Sequence, residues 1–192
     1  ELADGGYQIF NEYYPSAQNS KDITMSDKLG NPDTGKLRKV YDFVTAYQNI
    51  LRGDGIQNNY HRVEITDSHG KQLADHYGGS NSIYTITKSG HDGYNDIETL
   101  NMINLTDVSN TNWQIRNKDD ESSKIVNKKG PLHVKYYVDP YRRINNVWVA
   151  SPDMNDGRAK TLDFKRGWDK NGDYVEFDIP SLEYWNLVYM NG

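Results

Sequence analysis

The chain of 192 residues lacks cysteine and has only 6 prolines and 35% hydrophobic residues. Without cysteine it can form neither a disulfide nor a thiolate metal site, and it has no cysteine nucleophile. No stretch approaches the roughly 20 consecutive apolar residues that cross a membrane. Lysine and arginine total 22 against 27 acidic residues and are scattered, whereas phosphate binding needs concentrated positive charge. We therefore expect neither a membrane nor a nucleic acid as partner.

Tyrosine is the residue that the chain has in abundance, with 15 Tyr beside 4 Trp. A tyrosine combines an apolar ring with a polar tip, so it suits half-buried sheets and sugar-binding faces alike. The length is sufficient for one good core, or for a core with an appendage.

Near the end of the chain, apolar and polar residues alternate strictly. Successive side chains of a strand point to opposite faces, so Val175, Phe177 and Ile179 can be buried there. Glu176 and Asp178 would then face water. This alternation is typical of a sheet with one face on a core.

From residue 54 onward, short β segments are separated by turn residues, among them Asp67–Gly70, Asn155–Gly157 and Lys170–Asp173. The eight predicted strands are residues 60–66, 82–88, 97–106, 132–138, 145–150, 160–165, 173–179 and 183–190. Eight strands at this spacing predict a mainly β fold, an antiparallel Greek-key sandwich.

One helix is predicted, over residues 35–52, from apolar residues spaced three and four apart. Thr34 is the expected N-cap, and Gly53 stands where a left-handed cap would end the helix. Phe43 and Ile50 widen its apolar face. A face so wide implies burial against something large, which we expect to lie outside this polypeptide.

The carboxylates of the predicted strands do not form an obvious catalytic pair. A glycosidase of the usual kind needs two opposed carboxyl groups about 5–10 Å apart. Glu64, Glu176 and Asp178 fall opposite the apolar face, which spreads them over a solvent surface. Glu1, Asp4 and Glu12 lie in loop sequence near aromatic residues and are better site candidates.

The same N-terminal loop has an aromatic cluster among polar residues. Its members are Tyr7, Phe10, Tyr13 and Tyr14. Such a mixture can stack on sugar rings and bond their hydroxyl groups, or it can pack the loop onto the helix. Both interpretations stay open on the sequence alone.

Metal binding is weakly indicated. Asp153, Asn155 and Asp156 form an oxygen cluster that leaves Ca²⁺ as a possible ligand. Residues 169–173 lack the Gly and Glu spacing of an EF-hand loop and favour a hairpin turn. The five histidines show no zinc-ligand spacing. We therefore predict no metal site and no cofactor, with Ca²⁺ as the alternative.

Six segments follow one another in a characteristic order across nearly the whole chain. They are residues 1–5, 11–15, 41–52, 100–105, 147–153 and 179–185. Together they resemble the C-terminal part of glycoside hydrolase family 66, the endo-dextranases and cycloisomaltooligosaccharide glucanotransferases. The first dozen residues match more loosely than the helix and the final segment.

The resemblance implies a modular enzyme with a (β/α)8 catalytic barrel and a C-terminal Greek-key sandwich. Residues 1–53 would supply the last loop and helix of the barrel, and residues 54–192 the sandwich. The catalytic Asp and Glu of the family lie on earlier barrel strands, so this chain is expected to hold no catalytic residue. Its first six residues show no initiator Met and no signal-peptide pattern, and they read like the interior of a longer sequence.

The resemblance also implies which residues contact substrate. Glu1 and Asp4 match the last βα loop, where barrel enzymes keep substrate contacts. With Tyr13 and Tyr14 they form the predicted substrate-binding set, for α-1,6-glucan or isomaltooligosaccharides.

Three hypotheses follow for the function. The first is the C-terminal part of a secreted, extracellular bacterial enzyme that cleaves or transfers α-1,6-glucan, with the upstream barrel as its partner. The second is a free-standing carbohydrate-binding β sandwich without catalysis. The third is a structural domain without a ligand.

Overall fold

The structure, a computed structural model, describes residues 2–4, 32–92, 95–108 and 127–192. A short 3-10 turn, Leu2–Asp4, is followed by two helices, α1 (Pro32–Ala46) and α2 (Gln48–Arg52). The strands are β1 (Gln57–Asn59), β2 (Val63–Thr66), β3 (Ala74–Asp75), β4 (Ser82–Asp92), β5 (Asn95–Leu105), β6 (Leu132–Tyr137), β7 (Asn146–Ala150), β8 (Lys160–Thr161), β9 (Phe164–Asp169), β10 (Gly172–Ile179) and β11 (Trp185–Asn191). None of the described helices is long and apolar enough to span a membrane.

The strands form two sheets. The larger has seven strands in the order β1-β4-β5-β11-β7-β8, with β3 beside β4, and the smaller has the order β2-β6-β10-β9. Every pairing is antiparallel except that of β3 with β4. The predicted mainly β, antiparallel fold is therefore confirmed. Two short strands, β1 and β3, were not predicted, and the segment 160–165 divides into β8 and the start of β9.

The main core lies between the two sheets. Val175, Phe177 and Ile179 point into it, as the alternation predicts, and Leu100 and Val188 meet them from the larger sheet. Burying such side chains contributes about 1.5–3 kcal/mol each.

The polar positions of the smaller sheet form its solvent face, also as predicted. Glu64 pairs with Arg62 at 2.8 Å, and Asp178 lies 2.9 Å from Nδ1 of His133. Glu176 lies 3.6 Å from the other nitrogen of that imidazole. Glu176 and Asp178 thus meet at one imidazole, whereas Glu64 is held by Arg62, and these surface contacts are of modest strength.

The bounds predicted for the helix are corrected at both ends and in the middle. α1 begins at Pro32, so Thr34 lies inside the helix and is not its N-cap. Proline suits a first helical position because its missing N–H would have no intrahelical partner there. Tyr47, with φ -107° and ψ 16°, interrupts the helix. Gly53 is extended rather than left-handed, and the first positive φ after the helix is at Gly55.

We expected the helix to bury its apolar face against something outside this polypeptide. For its most buried residues this expectation is wrong. Phe43, Val44 and Leu51 pack against the outer face of the seven-stranded sheet, in a cluster with Trp185 and Leu187. The Phe43 and Trp185 rings meet edge to face with centroids 4.9 Å apart. The physical reason is that this outer face is itself apolar at its centre. The helix and sandwich therefore share a second core.

A substitution in the second core should destabilise the whole sandwich. Phe43 is 2% exposed, so Phe43→Ala should lower the free energy of unfolding by about 3 kcal/mol through lost burial and a residual cavity. Thr45→Ala, an exposed position of the same helix, should change it by less than about 0.5 kcal/mol. Urea denaturation followed by tryptophan fluorescence measures both. Equal midpoints for the two variants would contradict the shared core.

Candidate functional site

Of the predicted substrate-binding residues, only Asp4 lies within the described part of the chain. It ends the first 3-10 turn and is exposed. Glu1, Tyr13 and Tyr14, and with them Glu12, lie outside the described residues, so their substrate-binding role stays a prediction.

Asp4 is held against the sandwich by two contacts. Asn58 of β1 donates a hydrogen bond of 3.0 Å to its carboxylate. The ammonium of Lys88, in β4, donates to its backbone carbonyl at 2.6 Å and to that of Leu51 at 2.9 Å. Leu51 lies in the last turn of α2, where backbone carbonyls lack intrahelical partners. One lysine thus fixes both the N-terminal turn and the end of the helix to the sheet.

Lys88 is 4% exposed, an unusual position for an ammonium group. Its burial lowers its pKa from the ordinary value, and the negative charge of Asp4 opposes that shift. A buried charge is tolerated only where it is well hydrogen-bonded. The two carbonyl contacts supply that compensation, so the lysine is a structural anchor.

A cleft of about 520 Å³ opens beside this anchor. It exists because β1 pairs with Thr87–Ser89 and β3 pairs with Ile83–Tyr84 along the same edge of β4. Between them, Thr85 and Ile86 have no strand partner on that edge among the described residues. The side chains that line it are Asp4, Asn58, Asn59, Tyr60, His61, Arg62, Val63, Glu64, Gln72, Ala74, Asp75, His76, Tyr84, Thr85, Ile86 and Thr87.

The carboxylates of the cleft are already engaged within the protein. Asp75 accepts the backbone N–H groups of Tyr77 and Gly79 at 2.9 and 2.8 Å. These two hydrogen bonds stabilise its ionised form and hold its pKa below the ordinary value. Glu64 is paired with Arg62. A general acid needs a raised pKa, so Asp75 is unsuited to that role.

Behind the cleft lies the fully buried carboxyl group of Glu98. It accepts hydrogen bonds from Tyr136 Oη at 2.7 Å and Asn59 Nδ2 at 3.3 Å. Nε of Arg142 lies 3.0 Å from its other oxygen, an ion pair without aligned hydrogen-bond geometry. Burial raises the pKa of Glu98 to about 7, against the opposing effects of Tyr136 and Arg142. Because no part of its side chain reaches solvent, it is a core residue rather than a catalytic one.

Asp153, Asn155 and Asp156, the oxygen cluster considered for Ca²⁺, have structural roles in their loop. Asp153 accepts the backbone N–H groups of Tyr184 and Trp185 at 3.0 and 2.9 Å, which joins its loop to β11. Asn155 and Asp156 form a turn with φ near 51°. In the described ranges, no group of three or more His, Asp or Glu side chains is arranged to hold a metal ion. Residues 169–173 form the predicted hairpin between β9 and β10.

A second recess, of about 230 Å³, lies between α2 and the outer face of the seven-stranded sheet. Its walls are almost entirely apolar. The lining residues are Tyr47, Ile50, Trp148, Ala150, Ala159, Leu187 and Tyr189. The Trp148 and Tyr189 rings are stacked with centroids 5.2 Å apart. Apolar recesses beside aromatic rings are typical of protein contacts, whereas the first cleft is polar.

Comparison with known proteins places this chain among the glycoside hydrolases. The family model for glycosyl hydrolase family 66 matches residues 1–189, so the chain belongs to that family. This confirms the resemblance seen in the six sequence segments.

The relatives include transferases and a hydrolase. Two cycloisomaltooligosaccharide glucanotransferases of Niallia circulans are 30% and 31% identical over 191 and 190 residues, which is 99% of this chain and 18% of each relative. A dextranase of Streptococcus salivarius is 27% identical over 166 residues, 80% of this chain and 20% of that protein. The chain therefore spans about a fifth of the length of these relatives.

A solved structure has the same fold. It is the crystal structure of a Paenibacillus sp. cycloisomaltooligosaccharide glucanotransferase complexed with cycloisomaltoheptaose, with 30% identity and a TM-score of 0.66. The match covers 81% of this chain and 20% of that one.

The polar cleft is not predicted by the sequence pattern. Many of its polar side chains come from two runs, Asn58–Glu64 and the start of Asp75–Gly79, and of these the sequence pattern assigns only residues 60–64 to a predicted strand. Each run places a tyrosine beside a histidine, which is the one local signal that points to a site. That the two runs meet at one edge of β4 depends on long-range pairing, which the local pattern does not encode.

The buried Glu98 predicts a pH-dependent stability. Because its folded-state pKa of about 7 exceeds its ordinary value of 4.5, the folded protein binds more protons between these pH values. Its contribution to the free energy of unfolding is therefore full below pH 4.5 and decreases by at most about 3 kcal/mol as pH rises to 7. Urea denaturation of wild type and Glu98→Gln at pH 5 and pH 8 measures this difference, since glutamine does not titrate.

His61, whose Nδ1 lies 3.5 Å from Glu98 Oε2, is present in both proteins and also contributes to the pH dependence. Burial lowers its pKa, against the effect of Asp139, so its own contribution is lost as pH falls below 6.5 and has the opposite sign. We expect wild type to lose stability relative to Glu98→Gln between pH 5 and pH 8. Parallel profiles would contradict the assignment.

Proposed function

We propose that this chain is the C-terminal part of a secreted bacterial glycoside hydrolase or glucanotransferase that acts on α-1,6-glucan. The observation that carries the proposal is that a family model matches residues 1–189 while the chain spans about a fifth of its curated relatives. The activities of these relatives, glucan transfer and dextran hydrolysis, supply the substrate class. Residues 1–53 would complete a (β/α)8 barrel, and residues 54–192 would support it as a sandwich.

The apolar recess favours this supporting role. Ile50 of α2 is only half-buried, and the neighbouring Trp148 and Tyr189 rings form an apolar wall on the sheet. No described element covers this recess. Contact with the remainder of a barrel would bury it and would add about 25 cal/mol for each Å² of apolar surface removed from water.

Substrate contact is proposed for Glu1, Asp4, Tyr13 and Tyr14. Aromatic rings stack on the C–H faces of sugars, and carboxylates accept hydrogen bonds from hydroxyl groups. For Asp4 the anchor at Lys88 supports this role, because a fixed backbone keeps the carboxylate in one place.

Catalysis is assigned to the larger protein. Among the described carboxyl groups whose pKa departs clearly from its ordinary value, Glu98 alone is raised, and it is sealed between the sheets. The four others are held below their ordinary values by hydrogen bonds; they are Asp67, Asp75, Asp107 and Asp169. A retaining or inverting glycosidase needs an accessible acid with a raised pKa.

The isolated chain should not hydrolyse dextran. Purified protein incubated with dextran should release no reducing ends above the buffer blank, since Glu98, the one described carboxyl group whose pKa is clearly raised, is buried out of reach of substrate. The dextranase of Streptococcus salivarius serves as the positive control. Sustained release of reducing ends by this chain would contradict the proposal.

A chimaera tests the proposed role directly. The matching segment of the Niallia circulans glucanotransferase is replaced by this chain, and glucan transfer from dextran is measured. We expect an active chimaera, and no activity when the segment is deleted.

In the active chimaera, Asp4→Asn and Tyr13→Ala should each raise KM about tenfold, which corresponds to the loss of one good contact. Thr45→Ala, exposed on α1, is the control. Full activity of the deletion would refute the supporting role.

A further inference from the structure

The polar cleft beside β4 is large enough for a ligand. Its volume of about 520 Å³ falls in the usual range of small-molecule sites, about 300–1,000 Å³. Strands of both sheets form its walls: β1 and β4 belong to the larger sheet, and β2 to the smaller. Tyr60 follows directly on β1 and His76 on β3, so both lie at strand ends that are fixed by pairing with β4.

Two tyrosines stand at this cleft almost fully in solvent. Tyr60, which lines it, is 91% exposed, and Tyr77 is 85% exposed. The ring of Tyr77 lies against His76, another lining residue, with centroids 3.8 Å apart. Aromatic rings held in water next to a polar cleft offer a flat apolar face at little ordering cost, which suits the C–H face of a sugar ring.

The charges of the cleft disfavour other classes of ligand. Among its described lining residues, the one arginine, Arg62, is already paired with Glu64, so none of them offers a free guanidinium or ammonium group to a phosphate. The carboxylate of Asp75 accepts hydrogen bonds from two backbone N–H groups. That of Asp4 accepts one from the side chain of Asn58. The polar groups that remain include the imidazole of His76 and the hydroxyl of Tyr60, which can donate and accept hydrogen bonds. A neutral polyhydroxylated ligand matches this set.

We propose that this cleft is a non-catalytic subsite that binds a segment of α-1,6-glucan, with a sugar ring stacked on Tyr60 and a neighbouring one at the His76–Tyr77 pair. The choice of glucan rests on the proposed function, whereas the sugar class rests on the cleft itself. Asp4 lines the same cleft, so a glucan bound there would contact one of the predicted substrate-binding residues. The sandwich thus holds substrate as well as supporting the barrel.

The test is a calorimetric titration, in which linear isomaltoheptaose is added to this 192-residue chain and the heat of binding is measured. Wild type should bind saturably, and Tyr60→Ala and Tyr77→Ala should each weaken binding about tenfold. Both side chains are exposed, so neither substitution removes a core contact. Trp168→Ala is the matched control: Trp168 is a 74% exposed aromatic residue on β9, at the opposite edge of the smaller sheet from β2.

The outcomes separate the inference from the function on which it rests. No heat of binding with wild-type protein, or equal weakening by Trp168→Ala and Tyr60→Ala, overturns the subsite. The chimaera assay still tests the proposed function after either result, because it measures glucan transfer rather than binding to this cleft. Equal affinity for the α-1,4-linked maltoheptaose overturns the glucan assignment. Weaker binding of maltoheptaose, together with intact binding by Trp168→Ala, supports the subsite as proposed.

Discussion

The seven-stranded sheet must be covered on both faces, and most of the architecture follows from this constraint. Six consecutive residues of β5, from Ile97 to Met102, are buried, so neither face of its central strand meets water. The smaller sheet covers one face through Leu100 and Met102. The helices cover the other, where Phe43 and Leu51 lie on Trp185 and Leu187. A strand buried on both sides cannot exist in an isolated two-sheet sandwich.

This constraint explains why the helices and the sandwich are physically one unit, although the family resemblance implies a division near residue 53. Lys88 projects from the helix-covered face of β4 and bonds the carbonyls of Asp4 and Leu51. Tyr47 Oη donates a hydrogen bond of 2.8 Å to Gly157 O, across the second core. Separating the helices would expose Trp185 and Leu187 to water, which is costly. A boundary in sequence is therefore not a boundary in packing.

The sequence predicts those parts of the structure whose signal is local. The alternation at Val175, Phe177 and Ile179 gives the correct face of β10, and the Asn171-Gly172 turn gives its hairpin. The pattern fails for β1 and β3, since strands of three and two residues have no period to detect. It also fails for the partner of the helix, because an amphipathic face predicts burial but not the surface that buries it.

The polar cleft escapes sequence-based prediction for a related reason. The alternation of β5 places Glu98 on the same face as Leu100 and Met102, but it does not show that Tyr136 and Arg142 surround the carboxyl group there. The cleft in front of it combines runs near residues 60 and 76 that only the pairing of β4 brings together. Its carboxylates Asp4 and Asp75 accept hydrogen bonds from local donors, and the rings of Tyr60 and Tyr77 stay exposed. That arrangement is suited to the proposed binding of a sugar chain, and bond cleavage in the proposed larger enzyme would fall to other carboxyl groups.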